Sequence, residues 1–310
     1  MPEAPMNPVI TLSAGHASAR LVPHAGGRVS ALRLVNGNGD AVDILQPYPE
    51  DFFDPIHWAK GGIYPLMPYS NRITNALLHV NGETHALSPH PNAMPHTLHG
   101  NAHAQPWHAT QQGPDSVTLT LDSLAGPAWP WHYTASMCFE LTPSQFSVHL
   151  ELCNADQRVM PAGIGLHPYF RHHPAARLTY GATTLWPATP EYLPGAPRAL
   201  LANEQYETPR RLPDGGMTDY VGGWGGTATV DLPQGAQLAI LADPVFGHLV
   251  VHRPDTPLYL CLEPVSHVAD GFNLADRGVA GTGTHLLEPG GRISGSIRFA
   301  LVDPVERKSE

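Results

Sequence analysis

The chain predicts an all-β sandwich of many strands, on three observations. Apolar and polar residues alternate with a period of two in several segments, and convincing helical periodicity is nearly absent. In addition, 33 Pro and 30 Gly interrupt the 310 residues too often for long helices. A period of two is the signature of a strand with one buried and one wet face, because successive side chains point to opposite sides of a sheet.

The earliest clear element is a hairpin, where Asn81-Gly82 separates LLHV from ETHAL. Both central positions of a type I′ turn need positive φ, which Asn and Gly adopt most readily. In SVTLTLD, residues 116–122, Val117, Leu119 and Leu121 face one way while Ser116, Thr118 and Thr120 face the other. QFSVHLEL, residues 145–152, sends Phe146, Val148, Leu150 and Leu152 to one side, and RISGSIRFAL, residues 292–301, does the same with Ile293, Ile297, Phe299 and Leu301. The Pro-rich stretches around 47–55 and 187–197 read as long loops, which often carry sites, and residues 304–310 as a frayed tail. No repeat of fixed period appears, so residues 1–310 are expected to form a single domain, a size that all-β folds reach.

Composition narrows the function classes. Hydrophobic residues make up 42% and charged residues 14%, a balance suited to a globular protein with a sizeable interior. A formal charge of −10, with only 17 Lys and Arg, argues against nucleic-acid binding. No window approaches 18 apolar residues, and the segment MPEAPMNPVITLSAGHA lacks a basic stretch followed by an apolar one. A cytoplasmic protein with no membrane association is therefore expected. Cys138, Cys153 and Cys261 lie far apart in apolar, strand-like runs with no CxxC, and read as buried, reduced thiols.

Five segments hold candidate chemistry. In GGIYPLMPYSNRI, Asn71 and Arg72 place an amide beside a planar five-donor fork, suited to fixing hydroxyl oxygens; Arg72 is equally suited to capping a loop or pairing with a carboxylate. Seven histidines fall between His79 and His108, and the pair His96 and His99 invites a metal reading. A zinc site wants three or four converging ligands, and neither Cys nor a helical face accompanies these two. His99, just before Gly100, is the best placed of the seven, since a glycine lets backbone or ligand approach closely. In GIGLHPYF, residues 163–170, a strand would put Gly163, Gly165, His167 and Tyr169 on one face. His167 would then rise from an open floor of two glycines with Tyr169 as a flanking wall, or it is a satisfied core histidine. In PLYLCLEP, alternation puts Tyr259, Cys261 and Glu263 opposite Leu258, Leu260 and Leu262. A carboxylate ending so apolar a strand has its basicity raised, as a general base near neutral pH requires, unless a structural ion pair holds it. Asp219, in GGMTDYVGGWGG, is either an acceptor for sugar hydroxyls or a turn-setting acid.

Taken together these segments resemble the aldose 1-epimerase (galactose mutarotase) family, nearly throughout the chain and in order. PLMPYSNRI is similar to its Pro-framed Asn-Arg motif, TLHG to its first histidine motif, GLHPYF to its second, LCLEP to its glutamate motif and Leu287–Arg292 to its closing Pro-Gly strand. The resemblance implies a large twisted antiparallel β-sandwich, or supersandwich, whose open cleft binds a monosaccharide and needs neither a metal nor an organic cofactor. It implies that Glu263 is the general base at the C1 hydroxyl and His167 the general acid at the ring oxygen. His99 would assist there, while Asn71, Arg72 and Asp219 would hold hydroxyls. Asn101 after His-Gly, and Pro-Val-Ser after Glu263, depart from the common pattern and leave the sugar open.

The expected activity is therefore interconversion of the α and β anomers of a free aldohexose or related aldose, by a monomer or homodimer. Two alternatives accompany it. A hexose-6-phosphate 1-epimerase would need basic groups beside Arg72, where only Lys60 is near in sequence, unless Arg171 or Arg211 folds close. A non-catalytic carbohydrate-binding protein on the same fold would keep platforms such as Trp58, Trp107 or Trp224 without needing both His167 and Glu263.

Overall fold

The protein's structure, a computed structural model, describes residues 9–302 apart from residue 257 and the side chain at 234. The tail expected at 304–310 lies outside the described residues. The fold is all-β, as the alternation requires, with the short α-helix Gly271–Asp276 and a few 3₁₀ turns among the described residues.

Three antiparallel sheets have six or more strands. The largest has nine, in the order His108–Gln112, Ser116–Ser123, Tyr133–Leu141, Gln145–Asn154, Arg292–Val302, Gln237–Ala242, Thr227–Asp231, Arg177–Tyr180 and Tyr206–Arg211. It contains the three most regular segments of the sequence. Val117, Leu119 and Leu121 are buried, as are Phe146, Val148, Leu150 and Leu152, and Phe146 sits opposite Phe299 in the register. The hairpin forms where expected: Leu77–Val80 pairs with Glu83–Ala86 through Asn81 at φ 53° and Gly82 at φ 76°. The main apolar core runs from Ile10 to Phe299 in the sequence.

The thiols differ from expectation. Cys261 is buried, but Cys138 and Cys153 are half-buried, and all three are free. Cys138 lies between buried Met137 and Phe139, and Cys153 between buried Leu152 and Asn154, so the period of two turns both outward.

Two six-stranded sheets position the site. One runs Phe170–Arg171, Tyr259–Val265, His248–Arg253, Met217–Gly222, Thr184–Pro187, Arg198–Ala199; the other includes Ile63–Pro65 paired with Leu166–Pro168. The stretch from Gly165 to Arg171 stitches them together. Gly165 bridges Val265, His167 lies opposite Tyr64, and Phe170 lies opposite Leu260. His167 and Glu263, distant in sequence, thus reach one place because the second histidine motif belongs to both sheets.

Candidate active site

The seam between these sheets opens into a cavity of about 260 Å³ whose lining includes His167, Glu263, His99, Asn71, Arg72 and Tyr169. Glu263 arrives on the strand Tyr259–Val265, whose alternation sends Leu260 and Leu262 into the core while Tyr259 and Glu263 face the cavity. Its Oε1 lies 3.3 Å from His167 Nε2, and both residues are buried. The other ends of the pair, Glu263 Oε2 and His167 Nδ1, have no hydrogen-bond partner among the described residues.

Burial moves the two groups in opposite directions. Desolvation pushes the Glu263 carboxyl well above the usual carboxylate range and holds the His167 imidazole well below its usual value, with Lys60 adding to the effect on the histidine. His167 packs against two aromatic rings that also contact each other, Tyr64 at 4.7 Å and Tyr169 at 4.6 Å between centroids. Tyr169 is therefore the wall that the sequence suggests, and Tyr64 is a second wall that it does not.

His99 occupies a tightly specified position. It has φ 64°, and its Nδ1 accepts the Asn71 amide at 3.1 Å, so in the neutral ring the proton resides on Nε2 and is free to be donated. Gly100, at φ 66°, lies so close to the chain that a Cβ there would stand 2.2 Å from the Met67 carbonyl oxygen. Asn71 Oδ1 accepts from the Arg72 amide at 2.9 Å, and the Arg72 guanidinium lies over the Tyr192 ring, 4.8 Å from its centroid.

Several expectations need correction. Gly163 and Gly165 do not form an open floor beside His167. A Cβ on Gly163 would stand 2.1 Å from His267 Cδ2, and one on Gly165 would stand 2.7 Å from Val265 Cγ1, so both glycines make room for the protein's own packing. Asp219 does not line the cavity. Its strand neighbours Thr218 and Tyr220 do, so the alternation turns Asp219 to the other face, where the charges of Glu204 and Arg198 reach it. Asp219→Asn is accordingly expected to change kcat/KM by no more than about 2-fold, the scale of substitutions remote from a site. A loss of 100-fold in steady-state turnover would place Asp219 in the machinery after all.

Of the three tryptophan platforms, Trp58 lines the cavity, whereas Trp107 and Trp224 are buried donors to the carbonyls of Ala102 and Thr227. Arg171 donates to the Leu45 carbonyl and lies near Asp43, and Arg211 is exposed on an edge strand, so neither lines the cavity. Lys60 does. Asn101 accepts from the Tyr133 hydroxyl at 2.7 Å and is absent from the lining, so the departure after His-Gly does not alter the cavity wall. His96 and His99 each turn Nδ1 to a backbone amide, of Asn75 and Asn71, and neither belongs to the group of converging donor atoms found among the described residues. Among the described residues the donor atoms that do converge belong to His167, Cys261 and Glu263, all within 4.8 Å of one another.

The cavity also includes residues with no local sequence signal. Tyr192 comes from the expected 187–197 loop, and His252 and Val250 come from the strand beside Glu263. A strand phase assigned to MTDYVG would have picked out Tyr220, whose hydroxyl donates to the Tyr192 carbonyl at 2.8 Å.

So many buried imidazoles make the fold acid-sensitive. Burial holds His99, His103 and His167 well below the ordinary histidine value, and His267 at about 4. Below about pH 6.5 the unfolded chain therefore binds protons that the native state refuses, each costing up to about 1.4 kcal/mol per pH unit. Stability from these groups is present above that value and lost as pH falls toward 4. Glu263 and Asp219, both raised by burial, work in the opposite direction over part of this range, two groups against nine histidines held below their ordinary value. The melting temperature is expected to fall steeply between pH 7 and pH 5; a flat profile by calorimetry would contradict it.

Comparison with known proteins bears on the fold and the family. The chain is 27% identical over 229 residues to the uncharacterized protein YphB of Escherichia coli K12, covering 69% of this chain and 76% of that protein. Its fold matches the structure of a GalM/aldose epimerase homologue from C. elegans with a TM-score of 0.80 at 16% identity, over 95% of this chain and 98% of the other. A galactose mutarotase-like protein from Clostridium acetobutylicum matches with a TM-score of 0.79 at 18% identity, over 96% and 95%. A structure from Escherichia coli K12 matches at 0.83 with 24% identity, over 95% and 99%. At these identities the solved structures show the fold, a galactose mutarotase-like supersandwich. The family model for aldose 1-epimerase matches residues 8–300, and the chain belongs to that family.

Proposed function

We propose that this protein is an aldose 1-epimerase that interconverts the α and β anomers of an aldose, with Glu263 as general base and His167 as general acid. The observation that carries the reading is the 3.3 Å contact between two buried, oppositely shifted titratable groups in a cavity sized for a small polar ligand. Mutarotation moves one proton off the C1 hydroxyl and one onto the ring oxygen. A pair that holds a single proton between its members can do both.

When the pair's single proton moves from Glu263 to His167, the carboxylate takes the hydroxyl proton as the imidazolium gives its own to the ring oxygen. The C1–O5 bond breaks, C1 becomes an aldehyde, and the pair is left as carboxylic acid and neutral imidazole. Burial favours that neutral state, since it carries no charge on either partner. Rotation about C1–C2 and reclosure from the opposite face reverse both transfers and restore the pair. The total proton count never changes, so the reaction needs no exchange with bulk solvent within a turnover.

The remaining residues position the sugar. His99 Nε2–H is free to donate to the ring oxygen, while Asn71 and Arg72 offer amide and guanidinium donors to hydroxyls. Tyr64 and Tyr169 fix the plane of the His167 ring and exclude water from it. Exchange NMR on a panel of aldoses tests this reading: catalytic amounts of protein should bring cross-peaks between α and β anomeric protons. If no sugar on the panel interconverts faster than its spontaneous rate, the assignment fails.

A further inference from the structure

The cavity contains two cations that no carboxylate neutralises. Its lining includes Lys60 and Arg72, and among the described residues neither forms an ion pair. Each is instead set over an aromatic face, the Lys60 ammonium 4.7 Å from the Trp58 ring centroid and the Arg72 guanidinium 4.8 Å from that of Tyr192. An aromatic face orients a cation but leaves its charge in place. The one carboxylate in the lining, Glu263, is no counter-ion, because it contacts His167 and burial favours its protonated form.

Both charges act on the same groups. Lys60 and Arg72 each depress the basicity of His90, His99 and His252, which places the two cations around a common set of rings. Desolvation is the leading influence on both and lowers the proton affinity of each. In a chain with a formal charge of −10, two uncompensated cations gathered at one cavity run against the mean charge of the surface. Hydroxyl groups alone would return only neutral acceptors to them. An anion supplies charge-assisted hydrogen bonds, bidentate at the Arg72 fork and single at the Lys60 ammonium.

We propose that the preferred aldose carries an anionic substituent, a phosphate ester or a carboxylate, held by Lys60 and Arg72. This inference rests on the epimerase reading and narrows its substrate class. Sequence puts Lys60 near Arg72, but nothing in HWAKGG marks it as cavity-lining.

The test compares anomer exchange of glucose, glucose 6-phosphate and glucuronate by NMR, with calorimetric titration of the same three compounds. In the wild type, kcat/KM for at least one anionic sugar should exceed that for glucose by about 10-fold or more, the lower range for a charge-assisted contact. The preference should shrink with ionic strength, because added salt screens charged but not neutral ligands. Lys60→Gln and Arg72→Gln should each reduce the anionic-to-neutral ratio by about 10-fold. Whichever anion is favoured identifies the substituent. Equal or better turnover of glucose, or a Lys60→Gln ratio unchanged from wild type, would overturn the inference while leaving the epimerase reading intact. Conversely, Lys60-dependent binding of an anionic sugar with no anomer exchange would keep the anion site and sink the epimerase reading. Absence of both exchange and anion binding would end both.

Discussion

Replacing Glu263 by Gln is expected to lower kcat for anomer interconversion by at least about 100-fold while leaving the fold intact. Gln matches Glu in size, so the packing around a side chain buried on the core strand changes little. The carboxyl already favours its uncharged form in this environment, and an amide introduces no new buried charge. What disappears is proton affinity, because an amide oxygen cannot take a proton from the C1 hydroxyl near neutral pH. The sugar keeps its contacts with Asn71, Arg72 and His99, so KM should move far less than kcat. Turnover within about 10-fold of wild type in a variant with unchanged melting temperature would remove Glu263 from the base role.

His167→Ala is expected to have an effect of similar size, at least about 100-fold on kcat. Here the side chain lost packs against both Tyr64 and Tyr169, so some destabilisation accompanies the kinetic loss. Two further readouts separate a catalytic effect from a packing effect. Because the pair acts as a unit, the double variant with Glu263→Gln should be little slower than either single variant, rather than slower by the product of the two losses. In the wild type, the acid limb of kcat/KM should lie below the ordinary imidazole value of about 6.5, because burial opposes placing a second proton on the pair. Multiplicative losses in the double variant would mean that the two groups act independently.

Much of the architecture is readable from the sequence because strand alternation and turn chemistry are local. The hairpin at Asn81-Gly82, the regular strands of the nine-stranded sheet and the outward face shared by Tyr259 and Glu263 all follow from a period of two. Asp219, read as an acid among glycines with no strand phase assigned to its segment, lies outside the cavity, and the residue that lines it is Tyr220, one position away. The glycines of GIGLHPYF show a different limit. Sequence can say that a Cβ is absent, but which partner occupies the space is a tertiary fact, and that partner is His267 beside Gly163 and Val265 beside Gly165. Tyr64, Lys60 and His252 join the site only because two sheets meet at the seam stitched by Gly165–Arg171, an arrangement with no local signature.

The most direct measurement is the rate of α to β exchange at C1, followed by NMR in one sample series: no protein, wild type and the Glu263→Gln, His167→Ala double variant at equal concentration. Wild type should raise the exchange rate well above the spontaneous one, and the double variant should return it nearly to that baseline with its cavity ligands still in place. A double variant that exchanges anomers as fast as wild type would contradict the proton pair as the source of catalysis.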